Sequence, residues 1–236
     1  SDIPLHLQKA FIATEDDSFY EHRGVNPFAI LNGVVWHTIK TGSPRGGSTI
    51  TQQVVRNVEP LGIGFERKVM RKIKEAIAAL QVEREFTKDE ILELYLNQIF
   101  LGKSAYGVEA ASRQYFGKSC TELTLAESAT IAGLNRAPNT RNPIVNPKEA
   151  VIRKNIVLQQ MLDKKFITQE EYDSAVQEDV IAAVVRPDSQ PNDLKDYSVR
   201  GGFLAPYFVE EVRQFVLDKY KAEQVFEDGL EIYTTI

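Results

Sequence analysis

The chemistry open to this chain rests on carboxylates set beside cations. An apolar helical pattern ends in the run Thr14-Glu15-Asp16-Asp17-Ser18-Phe19-Tyr20-Glu21-His22-Arg23-Gly24. A carboxylate there lies near the negative pole of a helix and beside another acid, surroundings that help it take a proton as a general base. A solvated acidic helix end feeding a turn is the commoner meaning of such a run, and on this segment alone it is preferred. The second segment, Arg45-Gly46-Gly47-Ser48-Thr49-Ile50-Thr51-Gln52-Gln53-Val54-Val55-Arg56-Asn57, leads a Gly pair into hydroxyls and then into a helix bearing amides. Ser48 or Thr49 as N-cap, with free N–H groups at the helix start, makes a cradle for an anion or a sugar hydroxyl. An ordinary Gly-rich turn before a capped helix reads the same way. Gln52 and Gln53 are adjacent and point in different directions, so one of the two is expected to reach a ligand.

A third segment supplies the cations. On the helix from Phe65 to Leu80, Val69, Ile73, Ala76, Ile77 and Leu80 share one side. Lys68, Lys72 and Glu75 form a stripe on another side, with Arg67, Arg71 and Lys74 beside it. Basic helices are usually just solvated. So dense a patch around one acid nevertheless suits a phosphate-bearing partner, which Arg can engage through two parallel hydrogen bonds.

The elements that must position these groups are mostly helical, since apolar residues recur three and four apart and Gly and Pro gather at the breaks. A mainly α fold follows. Thr-x-x-Glu capping boxes mark helix starts at Thr87 to Glu90, Thr124 to Glu127 and Thr168 to Glu171. Further helices are expected near 4–14, 27–41, 48–58, 65–85, 104–115, 147–165 and 204–220, with a polar loop at 186–196 and a strand at 229–236. In the run from Lys88 to Gly102, Tyr95 and Asn97 read as buried polar groups that fix neighbouring loops. Asn135-Arg136-Ala137-Pro138, with Asn142-Pro143, reads as a turn closing a helix. The apolar stretch 27–40, with Phe28, Leu31, Val35 and Trp36, suits an interfacial membrane helix, although a buried amphipathic helix is the commoner source of that pattern.

Composition removes several alternatives. With 236 residues, 43% of them hydrophobic, the chain can bury a full core and is not disordered. Its net charge of -5 gives no general affinity for nucleic acid, so any anion site must be a local cluster. One Cys, Cys120, permits no internal disulfide, and three His make an imidazole metal site unexpected. No phosphate loop, Gly-x-Gly-x-x-Gly, Asp-x-Asp, His-Glu-x-x-His, Gly-x-Ser-x-Gly or Ser-x-x-Lys is found. No run of 18 apolar residues occurs, and the chain starts at Ser1 and stops in mid-pattern, which reads as a fragment of something longer.

Taken in order, these segments resemble the motifs of the peptidoglycan glycosyltransferases, glycosyltransferase family 51, found in class A penicillin-binding proteins. The resemblance covers roughly residues 10 to 160. It rests on Glu15, Asp16, Phe19, His22 and Gly24; on Gly-Gly-Ser-Thr-Ile-Thr-Gln-Gln at 46–53; on Arg71, Lys72 and Glu75; on Tyr-Leu-Asn at 95–97; and on Arg-Ala-Pro at 136–138. It implies a lysozyme-like fold over residues 1–186, with a large globular lobe and a smaller membrane-proximal lobe at about 25–70. Residues 187–236 would lead into a transpeptidase region. It implies an enzyme that joins lipid II units through β(1→4) bonds with inversion, at the outer face of the bacterial cytoplasmic membrane. Its partners would be lipid II, the nascent glycan, the membrane surface and moenomycin-type inhibitors.

By motif position Glu15 corresponds to the general base and Glu75 to a second essential carboxylate. Arg56, Arg67 and Lys72 match positions that hold donor phosphate, and Ser48, Thr49 and Gln53 match donor-site polar residues. Asp16, Phe19, His22, Arg71 and Asn97 are counted with the substrate site, and Phe28, Leu31, Val35 and Trp36 with the membrane contact. No cofactor is required, and a divalent Mg or Mn at the phosphate is left open. Three departures stand out: Arg56 where many members have Lys, a longer loop at 58–64, and Arg141 in place of a common Tyr. The competing enzyme is a lysozyme-like muramidase or lytic transglycosylase, which has no need of Arg67, Arg71 and Lys72. A catalytically silent glycan-binding domain would not be expected to keep both acids.

Overall fold

The computed structural model describes residues 2–27, 47–58 and 68–185. Among these residues the architecture is helical, with isolated bridges and no β-strand. The helices are α1 (Leu5–Glu15), α2 (Ile50–Val58), α3 (Lys68–Glu85), α4 (Lys88–Gln98), α5 (Val108–Phe116), α6 (Leu125–Leu134), α7 (Pro147–Asp163) and α8 (Gln169–Gln177), with a 3-10 turn at Cys120–Glu122. Arg67, Phe28, Leu31, Val35, Trp36, all but the first residue of the helix expected at 27–41, and the elements expected from 186 onward lie outside the described residues.

The three capping boxes form where the spacing places them. Thr87, Thr124 and Thr168 each accept from the N–H three residues on, and Glu90, Glu127 and Glu171 reach back to the cap N–H at 2.7, 2.8 and 2.7 Å. Each cap is worth about 1 kcal/mol. A further box opens α2, where Gln52 N–H donates to Thr49 Oγ1 at 3.1 Å and Thr49 N–H to Gln52 Oε1 at 3.0 Å. Gln52 fills the place that Glu takes in the other boxes, and of the two caps expected at this start, Ser48 and Thr49, it is Thr49 that caps α2.

The core is built around α6. Every residue from Ala126 to Leu134 is buried, and α6 packs against α1 and α7. Small residues at Ala126, Ala129, Ala132 and Gly133 let its neighbours approach. α1 contributes Leu7, Ala10 and Phe11, each with no exposed surface. The Glu15 end of α1 is thereby held against the densest part of the protein.

α3 is different. Its apolar residues Met70, Ile73, Ile77 and Leu80 are exposed, while Glu75 and Ala79 are buried where α3 meets α2. Polar pairs make that contact: Thr51 donates to Glu83 at 2.6 Å, and Lys88 pairs with the same carboxylate at 2.6 Å. Gly24 closes it, since with φ +79° a Cβ there would lie 2.7 Å from the Ala79 carbonyl oxygen. Only Gly combines that backbone conformation with that approach.

Candidate active site

Glu15 is the last residue of α1, and its side chain is 5% exposed. Two other elements hold its carboxylate. Gln53, on α2, donates from Nε2 to Oε2 at 3.2 Å. Arg136, just after α6, forks onto it, with Nε 3.1 Å from Oε1 and Nη2 3.2 Å from Oε2. Arg136 adopts φ +70°, a left-handed backbone that costs an ordinary residue roughly 1–2 kcal/mol. The chain behind it is braced. Asn135 Oδ1 accepts from Arg136 N–H at 2.9 Å, and Asn135 Nδ2 donates to the hydroxyl of fully buried Tyr95 at 3.1 Å. Burial, and then the Glu15 charge, push the Tyr95 phenol well above its usual range, so it stays a neutral acceptor for Asn135.

The rest of the first motif is a buttress. Asp16 is buried and takes His22 Nε2 at 2.9 Å on both oxygens, while Oδ2 also accepts from Ile50 N–H at 3.0 Å. It therefore fixes the start of α2 relative to the end of α1. Phe19 is fully buried, edge-on to Tyr20 and His22, with Lys88 Nζ 4.4 Å over its ring. The Thr49 hydroxyl is used by the α2 cap and by a 2.6 Å bond to the Gly24 carbonyl. Of the adjacent glutamines, Gln52 is spent on that cap and Gln53 reaches Glu15, as the different directions of the two side chains require.

The second acid lies on α3. Glu75 is 1% exposed, pairs with Lys72, and has Arg71 Nε 3.6 Å from Oε1. Lys72 also donates to Ser48 Oγ at 3.0 Å and remains 45% exposed along its side chain. A buried acid thus steadies a cation whose head still meets solvent, an arrangement suited to receiving an oxyanion. Arg56 is exposed in the last turn of α2. Among the described residues no group of three or more His, Cys, Asp or Glu gathers that could hold a metal ion. One acid under two cations fits an anion better than a divalent cation.

Two expectations change. Asn97 is exposed, so of the pair in Tyr-Leu-Asn only Tyr95 is a buried polar brace. Arg136, read from sequence as part of a closing turn, is the principal partner of Glu15. Its signal was a cation directly after a helix stop, which acquires meaning only when the end of α1 is placed beside it.

The chain has relatives among known proteins. The family model described as Transglycosylase matches residues 1–162. Penicillin-binding protein 1A of Escherichia coli (strain K12) is 47% identical over 99% of this chain and 26% of its own length. The protein of the same name from Haemophilus influenzae is 42% identical over 100% of this chain and 26% of its own. A crystal structure of Penicillin-Binding Protein 1A from Haemophilus influenzae covers 94% of this chain and 21% of its own, at 32% identity and a TM-score of 0.46. The chain therefore spans about a quarter of the length of the curated relatives it matches. With a family match that takes in Glu15, Gln53, Lys72, Glu75 and Arg136, the chain belongs to the transglycosylase family, the peptidoglycan glycosyltransferases of class A penicillin-binding proteins.

Proposed function

We propose that this chain polymerises lipid II into β(1→4)-linked glycan, inverting the donor anomeric carbon and releasing undecaprenyl pyrophosphate. The observation that carries this reading is that one short stretch joins two acid–cation groups, because Gln53 touches Glu15 while Ser48, five residues earlier, touches Lys72. Glu15 takes the proton of the acceptor 4-hydroxyl as its oxygen bonds to the donor C1. The bond from C1 to the pyrophosphate breaks on the opposite side, and its electron pair leaves with the phosphate. A pyrophosphate needs its charge neutralised rather than a proton, which is the part given to Lys72 and Arg71 and, by motif position, to Arg56 and Arg67. Gln53 and Arg136 hold the base in one orientation. Asp16, Phe19, His22 and Thr49 act by positioning, while Ser48 and Asn97 complete the polar rim.

In the whole protein this domain would work at the outer face of the bacterial cytoplasmic membrane. The stretch 25–70, with Phe28, Leu31, Val35 and Trp36, would be its membrane-proximal lobe, and 187–236 would lead toward a transpeptidase region. Moenomycin-type inhibitors would compete at the donor phosphate site. The test gives wild type and Lys72→Ala labelled lipid II in one tube and preformed uncrosslinked strands in another. Wild type should make glycan in the first and leave the second intact, and the variant should lose roughly 2–4 kcal/mol of transition-state stabilisation. Strand cleavage that survives Lys72→Ala, without polymer from lipid II, would replace the transferase by a hydrolase.

A further inference from the structure

Against Glu15 lies a cavity of about 210 Å³ between the end of α1, the end of α6 and the face of α7. Its lining includes Arg136, Arg141 and Arg153, with Glu15 as the one carboxylate, and the three guanidinium groups come from three separate places in the chain. Their hydrogen-bonding capacity is only partly used. Arg136 is forked onto Glu15, and Arg141 Nη1 donates to the carbonyls of Gly133 and Asn135. Arg153 Nε is buried with no hydrogen-bond partner, as is Oε1 of Gln160 in the same wall. Burial, and next the positive charge of Arg153, hold the Arg141 guanidinium below its ordinary range, with Arg136 acting in the same sense and Glu149 and Glu15 against it. Three positive charges, with Glu15 in the lining and Glu149 acting from outside it, still leave a positive excess that a bound anion would relieve.

We propose that this cavity is an oxyanion subsite, receiving one carboxylate or phosphate group of the molecule whose hydroxyl is delivered to Glu15. Its lining rather than its size decides the class of ligand: at about 210 Å³ it is smaller than the roughly 300–1,000 Å³ of a pocket for a drug-sized ligand, and three of its lining residues carry guanidinium groups. Guanidinium forks match the planar carboxylate and the phosphate alike. Lipid II offers both, carboxylates on its peptide and phosphates on its lipid carrier. The identity of the molecule rests on the transferase reading, whereas the affinity of the cavity for an oxyanion does not.

The experiment therefore has two arms, both on the whole chain. In the first, inorganic phosphate is titrated while the guanidinium Nε–H resonances are followed by NMR. The Arg153 resonance should shift saturably, and Arg153→Gln should weaken binding at the cavity roughly tenfold or more, while Arg153→Lys keeps part of it. The resonance of Arg84, on the last turn of α3, serves as the control and should not move in step. In the second arm, turnover is measured with lipid II and with lipid II whose peptide carboxylates are amidated. Arg153→Gln should raise KM roughly tenfold with little change in kcat. If the anion is a peptide carboxylate, the amidated substrate already shows that rise with wild type and the variant adds nothing. If it is a phosphate, the variant raises KM equally for both substrates. A silent Arg153 resonance together with unchanged KM on both substrates overturns the subsite. Failure of wild type to make polymer at all would instead count against the transferase reading and leave the phosphate titration to decide the cavity.

Discussion

The two sides of the candidate site are built on opposite principles. On the α1–α6–α7 side an alanine-rich helix is buried throughout, and apolar contact holds the Glu15 end in place. On the α2–α3 side the buried face of α3 carries Glu75 and Ala79, and its larger apolar side chains point outward. The contrast teaches that the helix end carrying Glu15 is placed by packing, with Gln53 and Arg136 only orienting its carboxylate, while the α3 cations are placed by hydrogen bonds and ion pairs throughout. A proton acceptor needs a fixed seat. In the proposed reaction, a cation that meets a charged leaving group needs a partner that neutralises its neighbourhood and leaves its head free.

Substitutions can break this comparison. The largest effect is expected at Glu15→Gln, which keeps shape and removes the proton acceptor, lowering the polymerisation rate about 10²- to 10⁴-fold. Thermal unfolding should barely change, and near-normal turnover would place the base elsewhere. Next is Ile131→Ala in fully buried α6, expected to cost about 2–5 kcal/mol in denaturant unfolding, with KM unchanged for the folded fraction.

Thr49→Ala sharpens the division further. If the hydroxyl only caps α2 and holds Gly24, stability falls by about 0.5–2 kcal/mol and KM is steady. A KM rise well beyond that loss would return Thr49 to the substrate. The smallest effect belongs to Ile77→Ala on the outward face of α3, expected within about 0.5 kcal/mol in the same unfolding assay. A loss comparable with Ile131→Ala would mean that the two sides share one packing logic after all.

Much of this was legible in the sequence, and the gaps have causes. Helix starts were readable wherever Thr and Glu stood three apart, because a capping box is a local contract between side chain and backbone. The Lys72 cluster was readable as chemistry because net acidity makes a dense basic patch conspicuous, whereas Glu15 on its own read as a solvated helix end and gained a role only from the ordered motifs together. The burial of α3 was not readable. Periodicity identified the side carrying Ile73, Ile77 and Leu80, but which side turns inward was settled by the Thr51–Glu83 and Lys88–Glu83 contacts, with partners 32 and 5 residues away. Arg136 was hidden for the same reason, since its carboxylate lies 121 residues earlier.

The left-handed backbone at Arg136 bears on how this domain can be engineered. Gly at that position would accept the φ of +70° without steric cost, and Asn would accept it at little. Either change relaxes the backbone and discards the fork on Glu15. Selection of variants for heat resistance alone would therefore drift toward residues that free the Glu15 carboxylate from its fork, and a library meant to keep that contact would hold position 136 fixed while varying the loop on either side.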